Sequence, residues 1–226
     1  MNTSDPWNVD ILALAKDIHK GETAVLIGNG ASLAKQKHFF AHAVQNDFKL
    51  FGNNRSLWEG SLFELDYFLM ADPLLFREDR PTEDYIRKQV KMKKFFVAHC
   101  GKPRLSQEDL RRSGGISFTS RANAILPQVQ PNQIPGSSIF ITFQLILLMG
   151  FRTIYVVGCD CDTSHRYNHL VKKRPRDFTN LVSPWQYLLQ YASVKYPSVK
   201  VYAIDPVGLK GIMIEDPEMS SYLGSL

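Results

Sequence analysis

The chain alternates short, nearly unbroken apolar runs with longer stretches in which apolar residues recur every three or four positions. Residues 8–20 place Ile11, Leu12, Leu14, Ala15 and Ile18 at helical spacing and stop at Gly21. Residues 23–27 (Thr-Ala-Val-Leu-Ile) form an apolar run that ends directly in Gly-Asn-Gly, as a strand covered on both faces does. A helix is expected over 32–44, then strands over 48–52 and 66–71. A polar helix over 82–92 precedes a fourth strand at 94–98. Residues 101–136 are rich in Gly, Pro, Ser, Asn and Gln, and read as an irregular insertion holding one short strand at 116–118. The apolar stretch 138–149 predicts a buried helix closed by Gly150. Residues 153–157 (Thr-Ile-Tyr-Val-Val) predict a strand ending in Gly-Cys-Asp, and a polar loop covers about 161–182. Ser183 as N-cap with Pro184 at the first helical position opens a helix to about 196, and 199–204 is a last strand.

This alternation predicts an α/β chain: a Rossmann-like, mostly parallel sheet with helices on both faces, in a single domain with a loop-rich insertion. Ligands of such sheets bind outside the carboxyl ends of the strands. The strand-end residues Gly28, Asn29, Gly30, Asn54, Asp72, Asp160 and Asp205 are therefore the first candidates for function.

Composition narrows the classes. At 44% hydrophobic and 22% charged residues the chain is an ordinary packed protein, not a disordered or fibrous one. A net charge of +5 biases the surface toward anionic ligands. The basic residues are scattered apart from 172–176 (Lys-Lys-Arg-Pro-Arg) and a weaker group at Lys88, Lys91, Lys93 and Lys94. No basic stripe carries interleaved aromatics, so no nucleic-acid partner is expected. Cys100, Cys159 and Cys161 do not make a disulfide framework and read as reduced thiols. Residues 1–7 lack an apolar signal region, and 138–151 is too short to span a bilayer. A cytoplasmic location is expected, with peripheral membrane contact and homo-oligomerisation left open.

Three groups of residues carry candidate chemistry. Gly28 and Gly30 can adopt angles closed to other residues and admit a ligand to the main chain, while Ser32 can cap a helix whose free N–H groups attract phosphate. The turn lacks the Gly-Lys-Ser/Thr of a P-loop and the third glycine of a dinucleotide fingerprint. Asn54 and Asp72 offer hydrogen bonds to sugar or base edges, whereas Asn53 reads as a turn residue. Ser137 and Ser138 open the apolar helix and mark a second anion site. Finally, residues 160–169 (Asp-Cys-Asp-Thr-Ser-His-Arg-Tyr-Asn-His) hold a candidate general base among His165 and His169, and an Asp-x-Asp pair, Asp160 and Asp162, able to hold a divalent cation.

Several spaced segments resemble a known family: Val-Leu-Ile-Gly-Asn-Gly-Ala-Ser-Leu at 25–33, Gly-Asn-Asn-Arg at 52–55, Asp-Tyr-Phe-Leu-Met-Ala-Asp-Pro at 66–73, Gly-Ser-Ser at 136–138, Leu-Leu-Met-Gly-Phe-Arg-Thr-Ile-Tyr-Val-Val-Gly-Cys-Asp at 147–160, and Val-Tyr-Ala-Ile-Asp-Pro-Val-Gly-Leu-Lys-Gly at 201–211. Together they resemble the bacterial, Campylobacter-type sialyltransferase family and the related motility-associated, MptE-like (DUF115) glycosyltransferase-like proteins. The resemblance implies a metal-independent glycosyltransferase, sialyltransferase-like, moving a sugar from a CMP-activated donor to a carbohydrate acceptor in surface-glycan synthesis. It implies that Asn29 and Gly30 touch the phosphate and ribose, that Asn54 and Asp72 hold the donor, that Ser138 meets the donor sugar and that Asp160 binds the nucleoside. The catalytic base falls on His169, preferred to His165, and Tyr167 on the leaving phosphate. Asp162 stands where the family places a tyrosine, and Ile139 where it places a glycine. Two alternatives stand beside this one: a Mg²⁺-dependent diphosphokinase using Asp160 and Asp162, and a nucleotide-binding protein without catalysis.

Overall fold

The computed structural model describes residues 9–54, 64–71, 92–100, 114–120, 124–162 and 177–222. Eight strands lie among them: β1 (Thr23–Ile27), β2 (Lys49–Asn53), β3 (Leu65–Met70), β4 (Met92–Cys100), β5 (Ile116–Ser120), β6 (Thr153–Val157), β7 (Lys200–Ala203) and β8 (Ile214–Glu215). They form one sheet in the order β5-β4-β3-β2-β1-β6-β7-β8, and every ladder between them is parallel. The chain winds outward from β1 to β5, returns to the other side of β1 as β6, and winds outward again to β8. Ile27 pairs with Val157, so the carboxyl ends of β1 and β6 lie side by side. This is where the strand order reverses, and the crossovers leaving in opposite directions open a crevice above it.

Strand side chains alternate between two cores, which is why β1 and β6 are buried and nearly all apolar after their first residue. Ala24, Leu26, Phe51, Tyr67, Phe96 and Val156 join one core, on which α1 (Ile11–Ala15), α3 (Ser138–Leu148) and α4 (Val182–Lys195) pack. Val25, Ile27, Leu50, Phe68, Met70 and Val157 join the other, covered by α2 (Lys37–Gln45) and α5 (Pro217–Ser220). The expected α/β arrangement with helices on both faces is thus present.

All residues of α3 are buried, as an all-round apolar helix requires. Its buried amide, Gln144, is fully used. The Oε1 atom accepts from Ile125 N at 3.0 Å and Leu126 N at 3.3 Å, and Nε2 donates to Phe140 O at 3.0 Å. Residues 124–136 are thereby pinned to the sheet, aided by Gln130 N donating to Tyr187 Oη at 2.8 Å. Gln144→Leu leaves two buried N–H groups unpaired. We expect a loss of about 2–4 kcal/mol in urea unfolding, with each orphaned donor costing about 1–3; an unchanged midpoint would exclude this anchoring role.

Several boundaries differ from the sequence expectation. The first helix stops at Ala15 because the following residues leave the helix to cap α3: Asp17 N donates to Leu148 O at 3.0 Å and His19 N to Met149 O at 2.9 Å. The expected helix over 32–44 is a 3-10 turn, Ala31–Lys35, followed by α2. Gln36 stands at the break and donates from Nε2 to Ile204 O at 3.0 Å. The insertion holds a full edge strand, β5, rather than a three-residue one, and Met92 begins β4 instead of ending a helix. Pro184 is the third residue of α4, with Leu181 rather than Ser183 at the N-cap. The β8–α5 unit was not foreseen, although Asp216-Pro217 signals a helix start: Asp216 accepts from Glu218 N and Met219 N, and Pro217 follows it. Residues 82–91, 101–113, 121–123 and 163–176 lie outside the described residues.

Tyr67 supplies a pH test of the core. Burial, helped by Asp66 and Glu22, pushes its phenol from 10.0 up to about 12. Between those values only the unfolded state releases the proton, so stability falls as pH rises through that window and is unaffected below it. Tyr67→Phe should flatten the alkaline loss of stability in urea titrations; an identical pH slope would remove Tyr67 as its source.

Candidate functional site

The crevice above β1 and β6 is built from close backbone approaches. Gly28 N donates to Val157 O and Gly30 N to Gly158 O, each at 2.7 Å, so the glycine turn is laced to the end of β6. A Cβ on Gly28 would lie 2.2 Å from Gly158 O, and one on Gly30 would lie 2.4 Å from the carboxyl carbon of Asp160. Neither residue needs a positive φ; Gly30 sits at φ −74. The expectation that these glycines serve unusual backbone angles is therefore corrected. They are required for space, and what fills that space is the protein itself.

Asp160 is the centre of this arrangement. Its carboxylate is 5% exposed and accepts from Ser32 Oγ at 2.5 Å and Ser32 N at 3.2 Å. Its main-chain oxygen accepts from Gly208 N at 2.6 Å. One residue thus ties the first turn to the end of β6 and to the loop after β7. Ser32 does not cap the following turn, as its position suggests, because its hydroxyl donates to Asp160. The carboxylate takes the N–H that a phosphate would accept at such a turn. A phosphate placed there would meet a buried like charge, which costs several kcal/mol in a low-dielectric crevice.

A second knot joins β1, β2 and α3. Asn53, 1% exposed, donates from Nδ2 to Ile27 O at 2.6 Å and accepts at Oδ1 from Ser138 Oγ at 2.7 Å. The reading of Asn53 as an ordinary turn residue is corrected: it is the buried link between the strand ends and the start of α3. Asn54 is held at φ +41 and accepts from Ala71 N at 3.0 Å, which fixes the ends of β2 and β3 together. Ser137 is the N-cap of α3 and forms no side-chain cap bond. Asn29 Oδ1 is buried and has no hydrogen-bond partner among the described residues, within the glycine turn.

Burial pushes both thiols beside Asp160 upward, Cys161 to about 12 and Cys159 well above its ordinary value. Thiols held protonated in this way are poor nucleophiles. Phe178 N donates to the main-chain oxygen of Asp162 at 3.0 Å, so these two residues lie side by side. Of the expected site residues, Gly28, Asn29, Gly30, Ser32, Asn54, Ser137, Ser138, Asp160 and Asp162 lie at the carboxyl edge of the sheet or on the segments leaving it. Asp72, His165, Tyr167 and His169 lie outside the described residues. Reading the sequence did not find Asn53 or Gly208. Gly208 follows a strand end in Asp-Pro-Val-Gly, and that glycine is the available signal: a Cβ there would lie 2.3 Å from Cys161 O.

No family model matches the chain, and no curated protein matches its sequence. Solved structures do resemble it. The sialyltransferase CstII from Campylobacter jejuni, in complex with a substrate analogue, cytidine-5'-monophosphate, superposes with a TM-score of 0.61 at 15% identity, covering 91% of this chain and 88% of that one. The MAf glycosyltransferase from Magnetospirillum magneticum AMB-1 superposes with a TM-score of 0.57 at 10% identity, covering 89% of this chain but 34% of that one. Both belong to the groups that the sequence segments resemble, and at these identities the likeness is one of fold. No helix among the described residues is long and apolar enough to cross a membrane.

Proposed function

We propose that the protein is a glycosyltransferase whose nucleotide-activated donor binds in the crevice above β1 and β6. The observation that carries this reading is the Asp160–Ser32 lock beside the buried Oδ1 of Asn29, which has no hydrogen-bond partner among the described residues, at the point of strand reversal. Such a site suits hydroxyl and amide donors of a nucleoside or sugar better than a phosphate. The donor's phosphate is assigned instead to the amino end of α3, where Ser137 supplies no side-chain cap. The sialyltransferase of similar fold was solved with cytidine monophosphate, which favours a CMP-activated donor. Sialic acid itself is favoured less, because Ile139 and Asp162 replace the family's glycine and tyrosine. His169 is assigned as the base that takes the acceptor's hydroxyl proton, with His165 the second choice and Tyr167 on the leaving phosphate. Asp72 is assigned to the donor. A glycan is the acceptor, and no metal is required.

A thermal-shift panel tests the reading: cytidine, CMP and ATP, each with Mg²⁺ and with EDTA. A ligand of the native state raises Tm by mass action. CMP should raise Tm equally with and without metal. Stabilisation only by ATP with Mg²⁺ would overturn the reading in favour of the diphosphokinase. In transfer assays His169→Ala should lose about 10²–10⁴ in kcat while CMP still raises Tm. Normal turnover by the variant would move the base elsewhere.

A further inference from the structure

A cavity of about 220 Å³ opens on the opposite side of the molecule from the glycine turn. It lies under the end of α1, against the amino-terminal halves of β3, β4 and β5, and its lining includes Leu14, Ile18, His19, Tyr67, Lys94 and Phe96. A volume of this order accommodates a group somewhat larger than benzene. Most of the lining is hydrocarbon, and Leu14 and Ile18 are 45% and 44% exposed at its rim.

The polar groups of the cavity are unequal. His19 Nδ1 lies 3.0 Å from Glu22 Oε1, so the carboxylate holds the proton on that nitrogen. Its Nε2 then accepts from the Tyr67 hydroxyl, and the ring stacks on Phe151 at 4.9 Å. Both polar side chains are therefore committed to each other, and neither offers a free proton to a guest. Lys94 is different. Its ammonium lies 5.7 Å from the centre of the Tyr67 ring, and among the described residues it forms no ion pair. Its neighbour Lys93, by contrast, is bonded to Asp66 at 2.8 Å. One unpaired cation over an apolar chamber selects a guest with one negative charge and a hydrocarbon body.

We propose that this cavity is a binding site for a small apolar carboxylate, with its carboxyl group on Lys94 and its hydrocarbon part between α1 and Phe96. The site is separate from the proposed donor crevice, and the two readings stand or fall independently.

Calorimetric titration of the full chain tests it, with 3-phenylpropionate and hexanoate as probes and the corresponding alcohols as neutral partners. The acids should bind about two- to fivefold more tightly than the alcohols, the range of one exposed ion pair. Lys94→Met should erase that preference while the alcohols bind as before. Ile18→Glu should weaken the acids more than the alcohols. Both positions are exposed, and an unchanged Tm identifies folded variants. The proposal is overturned if acids and alcohols bind alike, if neither binds, or if the preference for acids survives Lys94→Met.

Discussion

Gly28→Ala should lower stability by about 3 kcal/mol or more, well beyond an ordinary surface substitution. The added Cβ would stand 2.2 Å from Gly158 O and 2.8 Å from Cys159 Sγ. The first neighbour is main chain, fixed by the bond from Gly30 N, and cannot rotate away. Either β1 and β6 part at their carboxyl ends or the turn leaves β6, and both open the crevice. Gly21→Ala is the matched control. Gly21 has φ +87 with nothing within 4 Å of an added Cβ, so its substitution costs backbone strain alone, about 1–2 kcal/mol. Urea unfolding of the two variants separates space from strain. If Gly28→Ala unfolds at the midpoint of Gly21→Ala, the tight-packing account of the turn is wrong. A folded remnant of Gly28→Ala should also fail to gain Tm from CMP.

Asp160→Ala is the second large effect. It removes a buried acceptor and leaves Ser32 N–H and Oγ–H facing a void, for about 2–4 kcal/mol at roughly 1–3 per orphaned group. Ser32→Ala alone leaves the carboxylate with one donor and should cost about 1–3 kcal/mol. The double variant removes both partners, so its cost should fall short of the sum by about 1–3 kcal/mol. Additive costs would mean that the two side chains act separately. Asp160→Asn keeps the shape but places an amide N–H against one of the Ser32 donors, and should fall between. On the proposed function, all three Asp160 and Ser32 single variants should weaken CMP binding, since the lock shapes the wall of the crevice.

The apolar runs were enough to place β1, β3 and β6, because strands buried on both faces carry few polar residues to blur the pattern. Runs of this kind do not reveal order in space. Only the ladders show that β6 returns to β1, and this return is what makes Gly28 and Asp160 neighbours. The glycines were visible and their purpose was not. Spacing alone cannot tell a glycine that admits a ligand from one that admits the protein's own carboxylate. Asn53 was passed over for a related reason. Asn-Asn after a strand has the composition of a turn, and only burial to 1% with two partners shows otherwise. Local pattern likewise missed the early end of α1, because the competing hydrogen bonds come from α3, far along the chain.

Strand order also governs how the chain can assemble as it leaves the ribosome. β1 through β5 can pair in sequence as they emerge, but the second edge of β1 waits for β6, since Ala24 meets Ile154. Until more than half of the protein has been synthesised, Val25 and Leu26 present an unpaired, apolar strand edge, the kind of surface on which nascent chains aggregate. Closure of the crevice is thus a late event of folding, and conditions that slow synthesis between β5 and β6 should lower the yield of soluble protein before they affect the stability of what has folded.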